Sequence, residues 1–347
     1  MKNTFKKISF LLCTACAIVP AFAQTPSVAS VAMYDGSDRQ QRLVAEAKKE
    51  GSLTLYTSMA APNIDALRQD FEKKYGVKVI VWRAGDVKVV QRVLSEAKAG
   101  RAAFDLVHVN TLEMEALHKE GILQQVYSPH QSKLMPVALP RHKEYAATRL
   151  SPIVVSYNTS QVSKADLPKT YQDLLDPKWK GRLGIEATDQ EWFYLVIKEM
   201  GDEKGLKYFR DLMATNKPSV RTGHSLLNNM VVSGDVPMAL TVYGHMPLLA
   251  KQKGAPIDWF ALKPTAAVGF AAGLAKKAPH PHAAILFYDF MITDAQKTLA
   301  EMGYIPTNKD VDSAFKNLEI SLVDHSVFLE EFSKWDAHWD SIVIKSK

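Results

Sequence analysis

Short apolar runs alternate with amphipathic stretches along most of the chain, and this alternation predicts an α/β fold. The runs Leu53–Tyr56, Val77–Val81 and Phe104–Val109 read as strands because they are short and rich in β-branched or aromatic residues. Each is followed by a stretch with apolar side chains at helical spacing, such as the one that Pro62 opens and Gly76 ends. Strands separated by single helices indicate parallel-rich sheets with right-handed crossovers.

A buried strand at Ser151–Thr159 divides this pattern into two sets of strand–helix units. A second set of strands follows it, and the chain returns to the first set near Thr265. We therefore predict two lobes, with crossover strands acting as a hinge and a cleft beside them. The predicted limits are 38–152 plus 263–347 for lobe 1 and 153–262 for lobe 2.

Loops that follow the strands and open helices are the predicted binding site. In parallel sheets ligands bind at the carboxyl ends of strands, where helix N-termini offer free N–H groups. Arg83 and Arg221, one in each lobe, could hold an anion with their guanidinium forks or could form ordinary salt bridges. Trp192 could form an apolar wall of the cleft or belong to the core. The predicted ligand-binding residues are Thr57, Ser58, Arg83, Gly85, Asn110, Thr188, Asp189, Trp192, Arg221, Thr222 and Tyr243.

The first 23 residues have the pattern of a cleaved secretory signal peptide. Three lysines precede an apolar run of about a dozen residues, and Ala21-Phe22-Ala23 is a small-x-small cleavage site. Both cysteines, Cys13 and Cys16, lie inside this segment, and lipidation of Cys16 is the alternative. No later segment is apolar for 18 residues, so the mature chain is expected to be soluble, and its export by the signal peptide predicts a periplasmic location. Without the three lysines of the signal peptide the net charge of +6 falls to +3, which is too mild to indicate nucleic acid.

Motifs for catalysis are weak. Gly223-His224-Ser225 resembles a hydrolase nucleophile elbow, but Leu227 stands where that motif needs glycine. His280 and His282 lack a third ligand at zinc spacing. No phosphate-binding glycine loop is present. We therefore expect a binding protein without catalytic residues, metal or cofactor.

Several segments together resemble the bacterial extracellular solute-binding proteins of ABC importers, in particular their ferric-binding-protein-like branch. They span about residues 50–310 in order: LTLYTS, RVLSEAKAGRAAFDLVHVN, SYNT, DLLDPKWKGRLGI, SGDVPMAL, KQKGAPIDW and APHPHAAILFYDFMITDAQKTLAEMGYIPTN. The resemblance implies a two-lobed type II periplasmic binding fold. Such a protein closes on its ligand and delivers it to an inner-membrane permease, here as a monomer.

The iron-binding members of that branch use a His after the first strand, a Glu after the third and a Tyr-Tyr pair in the second lobe. This chain has Ala60 near the first place, Asn110 at the second, and Tyr243 followed by Gly244 at the third. One phenol does not make a ferric site, so the leading expectation is a small anionic organic solute. Ferric ion, with or without a bound anion, is the first alternative. A secreted serine hydrolase using Ser225 is the second.

Overall fold

The computed structural model describes residues 27–101 and 103–345. The predicted signal peptide, its cleavage site and both cysteines therefore lie outside the described residues. Within the described ranges, no helix combines the length and the apolarity that crossing a membrane requires.

Helices and strands alternate along both halves of the chain, as the apolar pattern predicts. The α-helices of the described residues are α1 Val28–Ala32, α2 Arg39–Glu50, α3 Ala61–Tyr75, α4 Asp86–Lys98, α5 Thr111–Lys119, α6 Gln190–Met200, α7 Asp202–Asn216, α8 His224–Ser233, α9 His245–Gln252, α10 Pro281–Ile292, α11 Ala295–Glu301 and α12 His325–Trp339. The strands are β1 Ser52–Thr57, β2 Lys78–Arg83, β3 Leu106–Asn110, β4 Leu123–Gln124, β5 Tyr145–Asn158, β6 Leu183–Glu186, β7 Ser219–Arg221, β8 Met238–Tyr243, β9 Ile257–Phe260, β10 Ala267–Ala275 and β11 Ile305–Pro306.

Strand β5 joins the two halves of the sheet, whose order is β2-β1-β3-β10-β5-β8-β6-β7. Its first part pairs antiparallel with β10, up to Pro152 opposite Ala267. Its second part pairs antiparallel with β8 and β9, starting at Ile153 opposite Tyr243. The outer pairs β1–β2, β1–β3, β6–β7 and β6–β8 are parallel. The two-lobed α/β prediction is confirmed, and the crossover strand begins earlier than the sequence pattern indicated.

Each half has a hydrophobic core of its own. Helices α2, α3 and α10 contribute Leu43, Phe71 and Phe287 to the first core. The second core contains aromatic side chains of α6 and α7. Trp335 and Trp339 of α12 also pack in this second core, although residues 263–347 were expected with lobe 1. The predicted lobe limits stay predictions, but α12 contributes its aromatic side chains to the second half.

Two helices that begin after strand ends are capped by predicted site residues. Asp86 is the first residue of α4, and Gly85 holds the cap position. Asp189 holds the cap position of α6. The hydroxyl and amide of Thr188, which precedes that cap, donate to the Glu186 carboxylate.

Candidate functional site

The strand ends of the two halves meet beside the crossover strand β5. Asp86 follows β2 in the first half, and Tyr243 ends β8 in the second. The Asp86 carboxylate is close enough to contribute to raising the pKa of Tyr243. Groups from both halves therefore share one electrostatic environment, as a cleft between two lobes requires.

Arg149 is a buried cation at the centre of this environment. Its side chain comes from β5, and only 4% of the residue is exposed. The guanidinium lies 3.7 Å from the ring centroid of Phe270 and 4.0 Å from that of Tyr304. Two aromatic faces hold a guanidinium in one orientation and favour its charge. The position of Arg149 is therefore fixed by contacts with two aromatic rings.

No carboxylate of the described chain forms an ion pair with Arg149. Its Nη1 donates to the Ser151 hydroxyl at 3.1 Å, and its Nε is buried without a hydrogen-bond partner among the described residues. Burial lowers the pKa of Arg149, since a buried charge loses its hydration. A buried, uncompensated cation is costly, and an anionic ligand would satisfy it.

Tyr243 presents a phenol to a group of acidic side chains. Burial raises the pKa of Tyr243 well above its usual value, and nearby carboxylates raise it further: Asp189, Glu191, Asp86 and Glu186. Its ring stacks on His224 at 3.9 Å between centroids. The phenol is therefore protonated at neutral pH unless a cation binds beside it.

Glu113 adds another acidic group, on the first turn of α5. Burial raises its pKa to about 8, with a further contribution from Asp86 and a small one from Glu191 of the second half. Its Oε2 is buried without a hydrogen-bond partner in the described part of the chain. Burial is the main cause of this shift, and the smaller contributions of two carboxylates show that Glu113 shares its surroundings with other acidic groups.

Three side chains of the second half could together hold a cation. Ligand atoms of Glu186, Asp189 and His224 all lie within 4.8 Å of one another. Glu186 already accepts hydrogen bonds from the amides of Thr188 and Gly223. Asp189 accepts from His224 through Oδ1, while its Oδ2 is buried without a partner among the described residues. Asp189 is therefore the member with an oxygen left for a ligand.

The predicted residues of the first half have different surroundings. The Thr57 hydroxyl accepts a hydrogen bond from the Met59 amide, so it stabilises its own loop. The Ser58 hydroxyl is buried and has no partner within the described ranges. Gly85 is exposed at the start of α4. Asn110 caps α5 by accepting from the Glu113 amide, which fixes the loop that carries Glu113.

The predicted residues of the second half divide between surface and core. Arg221 is exposed, and its guanidinium donates to the carbonyl of Val220. Arg83 of the first half is exposed as well, so neither predicted arginine is the buried cation of the site. Thr188 and Thr222 are also exposed. The ligand-binding role of these four residues stays a prediction.

Trp192 is a core residue. It is 1% exposed, and its indole N–H donates to the Tyr171 hydroxyl at 2.9 Å. Phe209 is one of its neighbours in the second core. The structure therefore supports the interpretation of Trp192 as a core residue, and its contact with a ligand stays a prediction.

Sequence reasoning missed Arg149, Glu113 and Tyr304. A signal for Arg149 was available, because it is the single charged residue in the run Tyr145–Asn158. A charge inside an apolar strand requires a partner or a function. Glu113 and Tyr304 had no such signal, since both follow ordinary helix or loop patterns and reach the site only through the fold.

The family model of the bacterial extracellular solute-binding proteins matches residues 66–319 of this chain. The iron uptake protein A1 of Synechocystis is 23% identical over 296 residues, which is 76% of this chain and 80% of that protein.

Two solved structures have the same fold. Iron-bound HitA from Pseudomonas aeruginosa superposes with a TM-score of 0.74 at 23% identity, covering 84% of this chain and 99% of that one. The periplasmic binding protein AfuA from Actinobacillus pleuropneumoniae, with fructose-6-phosphate bound, gives 0.70 at 20% identity over 85% and 99% of the two chains.

Proposed function

Since this chain belongs to the bacterial extracellular solute-binding proteins, which bind a solute for import, we propose that it captures ferric ion together with an oxygen-bearing anion. The observation that carries this proposal is one cleft in which a phenol and several carboxylates lie near a buried arginine that has no ion-pair partner among the described residues. The complex would be delivered to an inner-membrane ABC permease.

The acidic part of the cleft supports a cation as cargo. Asp86 comes from the first half, and Asp189 and Glu191 from the second, and all three lie close enough to Tyr243 to raise the pKa of its phenol. Glu113 of the first half interacts with Asp86 and Glu191, although burial is the main reason why its pKa is raised. A small, highly charged cation prefers oxygen ligands of this kind. An organic anion alone would not neutralise the negative charges of these carboxylates.

Arg149 supports an anion that accompanies the metal. Its planar fork is fixed between Phe270 and Tyr304 and can donate to carboxylate or phosphate oxygens. An anion bound there would place further oxygens near Tyr243, which lies close enough to Arg149 to influence the pKa of the guanidinium. A ferric ion would therefore neutralise the carboxylates of the cleft, and the accompanying anion would neutralise Arg149.

The site would differ from the ferric set that the family resemblance implies. Ala60 has no ligand atom, and the Asn110 amide oxygen is engaged in capping α5. The acidic residues replace those ligands in the proposal. This corrects the order of our expectations from the sequence, where the organic anion came first and ferric ion second.

Closure between the lobes would complete the site. Asp86 and Glu113 are in one half and Asp189 and Tyr243 in the other, so a metal that binds both sets favours the closed form by its greater affinity for that form. Export by a cleaved signal peptide and a monomeric state belong to the same proposal.

The test is a titration of the metal-free protein with ferric citrate, followed by visible absorption. We expect a tyrosinate-to-iron charge-transfer band at one equivalent, which Tyr243→Phe abolishes. Tyr304→Phe is the matched control, because the Tyr304 hydroxyl instead accepts from Asn63 at 2.7 Å. A colourless wild-type protein would refute the ferric part of the proposal.

A metal-free organic anion is the second candidate, and Arg149 is the observation that favours it. AfuA, which shares the fold, is described with fructose-6-phosphate bound. Thermal shift against sugar phosphates and carboxylates, without metal, tests this candidate. A colourless protein that sugar phosphates stabilise, and that loses this effect in Arg149→Gln, would establish it in place of ferric ion.

A further inference from the structure

A second cluster of metal-ligating side chains lies at the other end of α5 from the cleft. Glu115 and His118 are three residues apart on α5, so both point to one face of the helix. His142 approaches that face from the segment that leads into β5. Ligand atoms of these three residues all lie within 4.8 Å of one another.

The Nε2 atom of His142 lies inside the cluster and would become a metal ligand once its proton has moved to Nδ1. This nitrogen is buried, lies 3.4 Å from Glu115 Oε2, and makes no hydrogen bond within the described residues. The side chains of His118 and His142 are 27% and 21% exposed, so an ion could enter from solvent. The group is thus compact and accessible.

Neighbouring side chains orient two of the three potential ligands. The Glu144 carboxylate pairs with His118 Nδ1 at 2.7 Å, which leaves His118 Nε2 free. The Tyr145 hydroxyl donates to Glu115 Oε2 at 2.9 Å. A carboxylate behind a histidine is the arrangement that orients histidine ligands in metal sites and increases their basicity.

We propose that Glu115, His118 and His142 bind a divalent transition-metal ion of the Zn²⁺ class, at a site separate from the cleft. Imidazole nitrogens and a carboxylate oxygen are ligands that Zn²⁺ accepts, and three protein ligands leave one position for water. The proposal does not depend on the cargo of the cleft.

Binding requires a local rearrangement. The rings of His118 and His142 are stacked 3.6 Å apart and nearly parallel, at 9°. Nitrogen lone pairs lie in the ring planes, so the rings must tilt apart to converge on one ion. The Glu144 amide donates to His142 Nδ1, which places the ring proton on Nε2. On binding, that proton moves to Nδ1, and the hydrogen bond from the amide is lost.

An ion at this site would connect α5 to the start of β5. The same two elements carry Glu113 and Arg149 into the cleft. Since an ion that binds only the folded state stabilises it by mass action, Zn²⁺ should raise the Tm of the protein.

The experiment uses the full chain after removal of metals, titrated near neutral pH with Zn²⁺ by calorimetry and with Co²⁺ by visible absorption. We expect one equivalent, a Co²⁺ d–d band and a higher Tm. His118→Ala or His142→Ala should weaken binding by about 100-fold or more. Glu144→Gln, which changes only the orienting carboxylate, should weaken it by about 10-fold to 100-fold.

His130→Ala is the matched control, because His130 lies in the same half but outside the cluster, and Tyr243→Phe is the control for the cleft. Both should bind Zn²⁺ as the wild type does. Glu115→Gln provides a test if a histidine variant fails to fold. The proposal is overturned if the wild type shows neither heat nor a d–d band, or if Glu115→Gln and the histidine variants bind normally.

Discussion

Arg39 and Arg149 are the two arginines that the structure buries within its described ranges, and their surroundings differ. Arg39 forms an ion pair with Asp289, at 2.5 Å between Nη1 and Oδ2, and donates to the carbonyl of Tyr127. Arg149 contacts two aromatic rings and a serine hydroxyl, with no carboxylate in ion-pair distance in the described chain.

The difference separates a structural cation from one available to a ligand. Arg39 joins α2 to α10 and has its counter-charge inside the fold. Arg149 lies on the strand that both halves share, and no carboxylate of the described residues is within ion-pair distance of it, so we expect its counter-charge to come from a ligand. Burial without an ion-pair partner is therefore a better indication of a binding residue than burial alone.

The largest effect that this comparison predicts is on stability at the Arg39 pair. Asp289→Ala leaves a buried guanidinium unpaired and should lower the free energy of unfolding by about 3–5 kcal/mol. Denaturation in urea measures the change. Ligand affinity should be unaffected in the fraction that stays folded. A loss below about 1 kcal/mol would mean that the pair is solvated and that the contrast with Arg149 is false.

Arg149→Gln should change ligand affinity and leave stability largely intact, which is the opposite of what we expect for Asp289→Ala. Affinity for ferric citrate should fall by about 100-fold or more, because the bound anion loses a buried, charge-assisted partner. The free energy of unfolding should stay unchanged or rise, since an uncompensated charge is removed from the core. Arg149→Lys keeps the charge without the fork and should bind with intermediate affinity. A marked loss of stability with unchanged affinity would make Arg149 structural, like Arg39.

The pH dependence of stability gives an effect at Glu113 that is smaller per pH unit. Burial raises its pKa to about 8, so the folded state holds a proton that the unfolded state has already lost above its ordinary pKa. The stabilising contribution is complete at low pH and is lost as pH rises toward 8, by at most about 1.4 kcal/mol per pH unit. Glu113→Gln should flatten this slope. A wild-type slope identical to that of the variant would show that Glu113 titrates normally.

The sequence was sufficient to predict the fold because the spacing of its apolar residues and the positions of its glycines and prolines indicate the same helices and strands. Gly51 and Gly76 end helices with positive φ angles of 75° and 71°, as their positions in the pattern indicate. Buried strands such as β5 are visible as apolar runs. The strand–helix pattern therefore established two α/β halves and most element boundaries to within a few residues.

The site was harder to predict because strand ends identify loops but not the side chains that enter the cleft. Tyr243 and Asp189 were identified, and both lie in the acidic environment. Arg83 and Arg221 follow strands as well, yet their side chains are exposed. Arg149 enters the cleft from the middle of a strand, so a search of the loops at strand ends does not find it. Long-range packing against Phe270 and Tyr304 decides its position, and local pattern does not contain that information.

Native mass spectrometry of the protein isolated from the periplasm without chelators would identify its cargo. We expect a mass increase that corresponds to one iron plus one small anion, retained in Tyr304→Phe and lost in Tyr243→Phe and Arg149→Gln. A wild-type protein that carries a metal-free organic molecule, or that keeps its iron in both Tyr243→Phe and Arg149→Gln, would contradict the proposed function.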